Sequence, residues 1–261
     1  MNDSAGQSGF DPSKSFSANI SKFQSTIGSL NSELGDLESA ARTASKKVTA
    51  SKKLLQAAET DATAAAQSDS YITARQNYGD YQAATLFSSI KGTYKGRGNE
   101  QVAADYQNAV RGLVKDGKFV EGGEEITEAI GRWLKIDPEK LQGPAQNIVD
   151  TIVSAIDSAV KNGKDFGKMR QEINRYDVKS RDGAAITASY KNEQSILNEA
   201  KQKVADAQAQ LTTDIDNKTD AKAKLDDAKK QLKEISSLLD ILIQQKDKLE
   251  KDVDEKFSKP I

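Results

Sequence analysis

The sequence contains no cysteine and no histidine, and these two absences exclude several kinds of functional site. Without cysteine there is no disulfide, no thiol nucleophile and no cysteine ligand for zinc. Without histidine there is no imidazole for acid–base catalysis or metal binding. Catalysis would have to use carboxylates, lysine, tyrosine or serine, and the sequence shows no convergent pair of such groups. We therefore expect a protein that is not an enzyme and has no metal or other cofactor.

Long apolar runs and an excess of charge are also missing. Only 36% of the 261 residues are hydrophobic against 30% that are charged, which favours long helices over a compact globule. The net charge is −1, so no overall field attracts nucleic acid, and we expect no nucleic-acid partner. No apolar run approaches the roughly 20 residues of a membrane span, which indicates a soluble chain.

The two ends of the chain differ from the rest in composition. Residues 1–15 are polar and lack the basic and apolar segments of a secretory signal peptide, so we expect a flexible tether there. Residues 258–261 are expected to form a short tail. Between these two ends the sequence predicts three regions: a long helix at 16–70, an inserted α-helical domain at 71–183 and a second long helix at 184–257.

The second long helix is predicted from a heptad repeat without a register break. Its a positions are Leu197, Val204, Leu211, Lys218, Leu225, Leu232, Leu239, Lys246 and Val253, and its d positions are Ala200, Ala207, Asp214, Ala221, Ala228, Ile235, Leu242, Leu249 and Lys256. A seven-residue apolar repeat of this length is typical of a coiled coil. The lysines at a positions require a partner that leaves their ammonium groups near water.

The first long helix supplies the matching apolar stripe. The stripe is formed by Phe16, Ile20, Phe23, Ile27, Leu30, Leu34, Leu37, Ala41, Ala44, Val48, Ser51, Leu55, Ala58, Ala62 and Ala65. The large apolar residues lie in the first half of this helix and in the last half of the second long helix. An antiparallel hairpin of the two helices therefore pairs large side chains with large side chains. We expect paired residue numbers to add up to about 272, with 211–245 along 27–61 and Leu34 near Leu239. The alternative is that each helix pairs with its own copy in an oligomer.

The region between the long helices has a different composition. All seven tyrosines and the single tryptophan lie between Tyr71 and Tyr190. Turn residues divide this region into short helices, predicted at 71–91, 99–115, 124–135, 138–142, 144–161 and 165–176. Residues 117–121 are the only candidate for a short strand. The predicted fold is all-α, an elongated antiparallel coiled coil of the two long helices with an inserted small α-helical domain.

One segment of the inserted domain is a candidate membrane-binding element. Residues 145–160 place aliphatic side chains on one broad helical face and acidic or hydroxyl side chains on the other. Such a face could enter a membrane after a rearrangement, and a tryptophan between basic residues at 132–135 could anchor at the interface. The alternative is that both belong to the core of the domain. The candidate residues are Ile148, Val149, Ile152, Val153, Ile156 and Trp133.

This organisation resembles the α-helical pore-forming toxins of the cytolysin A, haemolysin BL and Cry6 type. The likeness lies in long helices near each end, a small inserted helical domain and a polar start without cysteine, and it covers most of the chain. It implies a secreted bacterial virulence protein, exported without a classical signal peptide, that assembles as an oligomer with membrane lipid, partner subunits or both to form or support a pore. Those toxins keep a strongly apolar hairpin in the head. Its absence here implies a less hydrophobic component, or one that relies on 145–160.

A second family has a similar organisation. Needle-tip and filament proteins of type III secretion systems also consist of paired coiled-coil helices with an inserted domain and a polar N-terminus. This resemblance implies a structural protein that polymerises without lipid. The two hypotheses differ in whether membranes or the protein alone drive assembly.

Overall fold

A computed structural model describes residues 10–11, 14–91, 98–177 and 182–257, and over these residues the predicted all-α fold is confirmed. The α-helices are α1 (Phe16–Ala66), α2 (Asp69–Lys91), α3 (Asn99–Arg111), α4 (Gly123–Leu134), α5 (Ala145–Lys161), α6 (Gly163–Asp177) and α7 (Gly183–Phe257), and a 3-10 helix spans Pro138–Leu141. The predicted tail and most of the predicted tether lie outside the described residues.

A small hairpin replaces the end of one predicted helix. Strand β1 (Val114–Lys115) pairs antiparallel with β2 (Lys118–Phe119), so the helix predicted at 99–115 ends at Arg111. The two-residue turn consists of Asp116 and Gly117, with φ of 53° and 74°. Aspartate followed by glycine tolerates positive φ at both turn positions, which is what the tightest hairpins require. The short strand predicted at 117–121 is the second half of this hairpin.

The chain forms two compact units. Unit 1 comprises Met1–Ala58 and Val204–Ile261, and unit 2 comprises Glu59–Lys203. Unit 2 is wider than the predicted inserted domain at 71–183 because it includes the end of α1 and the start of α7. In unit 2, Tyr190 of α7 stacks on Tyr78 of α2, with ring centroids 4.4 Å apart.

Unit 1 confirms the predicted intramolecular antiparallel pairing of α1 and α7. Glu38 forms an ion pair with Lys229 at 3.5 Å, and Ser51 donates a hydrogen bond of 2.5 Å to Asp214. The predicted heptad residues of α1 are all buried or partly buried, and so are those of α7 up to Lys246 apart from Lys218, whereas Leu249 and Val253 are exposed. Asn19 is the one buried residue of α1 outside the predicted stripe. Two chains are therefore not needed to cover these stripes.

The predicted register is wrong by about one heptad. The residue numbers in the Glu38–Lys229 and Ser51–Asp214 contacts add up to 267 and 265, not 272. Sliding one helix by seven residues leaves apolar residues facing each other, so side-chain size alone does not fix the register. A polar pair does fix it, because Asp214 is buried and needs a hydrogen-bond donor. The hydrogen bond from Ser51 also lowers the pKa of the Asp214 carboxyl.

This register explains two exposed apolar side chains. It sets Leu249 opposite the first turn of α1 and Val253 beyond the start of that helix at Phe16. Their exposed fractions are 48% and 49%, although both occupy heptad positions. The apolar stripe of α7 is therefore longer than the part that α1 covers.

The register can be tested by cysteine crosslinking, since the protein has no cysteine of its own. The double variant Leu34→Cys/Leu232→Cys should form a disulfide within one chain. The matched pair Leu34→Cys/Leu239→Cys should not, because seven helical residues separate the two α7 positions by about 10 Å. Non-reducing gels and peptide mapping report both. Faster crosslinking of 34 with 239 would support the register predicted from the sequence, in which paired residue numbers add up to about 272. Crosslinks that form only between chains would contradict the intramolecular pairing of α1 with α7.

Candidate functional site

Helix α5 is amphipathic, and its apolar face is buried. Pro144 precedes it with φ of −60°, a value compatible with the start of a helix. On the exposed face, the hydroxyls of Thr151, Ser154 and Ser158 donate to carbonyls four residues earlier, so these side chains need no partner outside the helix. The buried residues are Ala145, Ile148, Val149, Ile152, Ile156 and Ala159.

The apolar face of α5 lies in the main core of unit 2. Val149, Ile152 and Ile156 are completely buried, and Val153 is partly buried against the same core. Burying such a side chain contributes about 1.5–3 kcal/mol relative to exposure. The core placement agrees with the alternative interpretation of 145–160. It leaves the membrane prediction open, because a latent membrane element would also be buried at rest. The other core residues include Phe87, Tyr106, Ile130, Phe166 and Met169.

Directional contacts between α5 and the rest of unit 2 are few. Within the described residues, a single side-chain hydrogen bond joins α5 to another element, from Gln107 Nε2 of α3 to the carbonyl of Val153 at 3.3 Å. The ion pair of Lys161 with Asp157 and the hydrogen bond from Gln146 to Asp150 stay inside the helix. Apolar contacts therefore provide most of what holds α5 in place.

Helices α2 and α4 are held together in the opposite way, by close approach and ion pairs. A Cβ on Gly79 of α2 would collide with the backbone oxygen of Glu125, so only glycine allows the two backbones to come this close. Beside this crossing, Arg75 of α2 pairs with Glu124 at 2.8 Å and with Glu128 at 2.9 Å. These contacts fix the relative position of the two helices.

A partly buried guanidinium and several carboxylates determine the electrostatics beside Gly79. Burial opposes the positive charge of Arg75, but the ion pair with Glu128 raises the pKa of its guanidinium. Burial raises the pKa of the Glu128 carboxyl, and Arg75 counteracts this only in part. The hydroxyl of Tyr190 donates a hydrogen bond to Glu125 at 2.5 Å. The pKa of Tyr190 is raised, mainly by burial and secondly by this hydrogen bond.

A second polar cluster surrounds Asp80. Arg132 of α4 pairs with Asp80 at 2.9 Å, and the hydroxyl of Tyr176 of α6 donates to the same carboxylate at 2.9 Å. Trp133 stacks on Tyr176, with ring centroids 6.2 Å apart and planes 20° from parallel. Trp133 is partly buried against the core that also holds α5. Five of the six candidate residues thus pack against one core, four of them from α5, and the sixth, Ile148, is also buried.

The two polar clusters hold helices of unit 2 together. In the described part of the chain, no group of acidic side chains could hold a metal ion. The carboxylates at 121–125 include Glu124 and Glu125, which face Arg75 at 2.8 and 3.9 Å. Sequence reasoning missed Arg75, Asp80 and Tyr176, because their partners lie about 50 to 100 positions away without any periodic spacing. The clustering of tyrosines was the only signal.

Comparison with known proteins adds no identification. No protein-family model matches the chain, and no match was found to a curated protein or to a solved structure. Among the described helices, none is both long and apolar enough to cross a membrane.

The cluster at Asp80 predicts how stability depends on alkaline pH. Burial, and then the hydrogen bond to Asp80, raise the pKa of Tyr176 from 10.0 to about 12. The unfolded chain therefore loses this proton first, and this contribution to stability is complete below about pH 10 and declines toward pH 12. Tyr176→Phe should lose stability less steeply over this interval in urea unfolding.

Asp80→Asn serves as a second variant for this prediction. It removes the negative charge while keeping an acceptor and the ring contacts, so tyrosinate absorbance should appear at lower pH than in the unmodified protein. Equal pH slopes for the unmodified protein and Tyr176→Phe would contradict the assignment.

Proposed function

We propose that this protein is a secreted, non-enzymatic component of an α-helical pore-forming toxin, in which α5 is the membrane-binding element. The observation that carries the proposal is the difference in attachment between the helices of unit 2. Among the described residues, α5 is held by apolar contacts and one side-chain hydrogen bond, whereas α2 and α4 are joined by ion pairs at 2.8 to 2.9 Å. A change of environment would release α5 before it separated α2 from α4.

Lipid can replace the contacts that α5 would lose. Hydrophobic burial is not directional, so acyl chains serve the apolar face of Ile148, Ile152 and Ile156 as well as a protein core does. Ion pairs have no comparable substitute in a bilayer. The energetic difference between core and membrane is therefore small for α5 and large for the contact of α2 with α4.

The two faces of α5 suit a place at the membrane surface or along a pore wall. Its 17 residues span about 25 Å, close to the thickness of a bilayer core. Asp150, Ser154, Asp157 and Ser158 would face water, which a single helix crossing lipid alone could not allow. Several copies side by side would satisfy both faces, so oligomers formed with lipid, partner subunits or both are part of the proposal.

A structural role in a filament is the second candidate, and a specific observation in unit 1 favours it. Val253 continues the apolar stripe of α7 past the start of α1, Leu249 lies opposite the first turn of α1, and both are about half exposed. Leu238 and Ile241 add exposed apolar area nearby on the same helix, at 42% and 51%. A helix of another chain could cover these residues and extend the coiled coil.

A polarity-sensitive dye distinguishes the two candidates. We expect the dye on Val160→Cys, at a partly buried position of the apolar face, to enter a lipid-quenched environment when vesicles and any partner protein are added. The control Ser158→Cys lies on the exposed face and should be quenched much less. Brominated lipid reports the contact directly, and electron microscopy of the same samples should show rings.

Two results would count against the toxin proposal. If vesicles leak while the dye at 160 keeps its resting spectrum, α5 is not the membrane-binding element. If the protein polymerises in plain buffer and vesicles change nothing, the filament role is favoured instead.

A further inference from the structure

Helix α1 contains a cationic segment that the overall charge conceals. Between Glu38 and Glu59 the sequence has no carboxylate but five cations, although the whole chain carries a net charge of −1. The five are Arg42, Lys46, Lys47, Lys52 and Lys53. All of them are exposed, so this stretch of unit 1 presents a local positive surface.

A groove of about 310 Å³ lies between α1 and α7 within this segment. It exists because the paired stripe is thin there, with Ala41 on α1 and Lys218 at a heptad a position of α7. A leucine at 218 would fill the space, whereas an ammonium group turns toward water and leaves it open. The residues that line the groove are Glu38, Ala41, Arg42, Ser45, Lys218, Lys222 and Leu225.

The cations of the groove lack partners within the part of the chain that the structure describes. Neither Arg42 nor Lys218 nor Lys222 forms an ion pair or a side-chain hydrogen bond with another described residue. Glu38 is the one carboxylate on the lining, and it is paired with Lys229 at 3.5 Å. Three positive groups thus line a concave surface on which the one carboxylate is paired with a different lysine, Lys229.

The cationic surface continues beyond the groove along α1. A second shallow depression is lined by Arg42, Ser45, Lys46 and Thr49, so it shares two residues with the first. Both include the Ser45 hydroxyl next to positive charges, whereas the Thr49 hydroxyl already donates to the Ser45 carbonyl at 3.1 Å. Lysine at an a position weakens a coiled coil, and such a departure from the folding pattern often marks a functional position.

We propose that the groove is a binding site for a phosphate group. Arg42 can donate two parallel hydrogen bonds to phosphate oxygens, Lys218 and Lys222 add charge, and the Ser45 hydroxyl adds a neutral donor. A lipid headgroup and a soluble phosphate ester share this chemistry. The site does not depend on α5 or on the toxin role, because its residues all belong to unit 1.

Titration of the ¹⁵N-labelled protein with inorganic phosphate tests the site, with chloride at equal ionic strength as the reference. Amide signals of residues 42, 45 and 222 should shift to saturation with phosphate only. Arg42→Gln/Lys222→Gln should weaken binding about tenfold or more, since each charged hydrogen bond contributes substantially. The matched control is Lys230→Gln, which removes an exposed lysine of α7 that faces Glu234 at 4.0 Å.

Vesicles with and without phosphatidic acid distinguish a lipid headgroup from a soluble phosphate ester as the natural ligand. Binding to the acidic vesicles that is lost in the double variant and competed by phosphate assigns a lipid headgroup, and phosphate binding without vesicle binding assigns a soluble ester. Equal, unsaturated shifts with phosphate and chloride would overturn the proposal, as would unchanged phosphate affinity in a folded double variant. Phosphate binding that persists when no lysis occurs would count against the toxin role alone.

Discussion

The burial of the apolar face of α5 is the interaction on which unit 2 depends. Ile152 and Ile156 are completely enclosed, and the core around them draws on α2, α3, α4 and α6. A chain with only 36% hydrophobic residues has few such side chains to place, so most of the large ones in unit 2 meet in this core. Within the described residues, this helix has a single side-chain hydrogen bond to another element, from Gln107 of α3.

The two helix pairings in this protein follow different physical rules. Helices α2 and α4 meet at Gly79, with ion pairs from Arg75 and Arg132 on either side of that crossing, so their position is specified by charge and close approach. Helices α1 and α7 meet along a repeating apolar stripe, which specifies direction but leaves the register ambiguous. In the second case the hydrogen bond between Ser51 and Asp214 selects one register.

The helices and the antiparallel pairing of α1 with α7 could be predicted from the sequence, because apolar periodicity and turn residues are local signals. The β-hairpin was predicted only in its second strand, since residues 114 and 115 were assigned to a helix. The α5 residues were predicted to share one face, and they do. The register failed because a heptad repeat is equivalent under a shift of seven residues, and the polar pair at Ser51 and Asp214 was counted only as part of the stripe. The ion pairs of Arg75 and the contact of Tyr176 with Asp80 join distant parts of the chain, so no local pattern could reveal them.

The central claim is that α5 leaves its core when the protein acts on a membrane. The most direct measurement is a reversible lock, made by a short crosslink between cysteines at positions 107 and 153, where Gln107 donates to the Val153 carbonyl at 3.3 Å. We predict that vesicle leakage is abolished while the crosslink is in place and returns when it is reduced, with the Gln107→Cys variant alone active throughout. Full leakage from the locked protein would contradict the account, because α5 would then act without leaving the core.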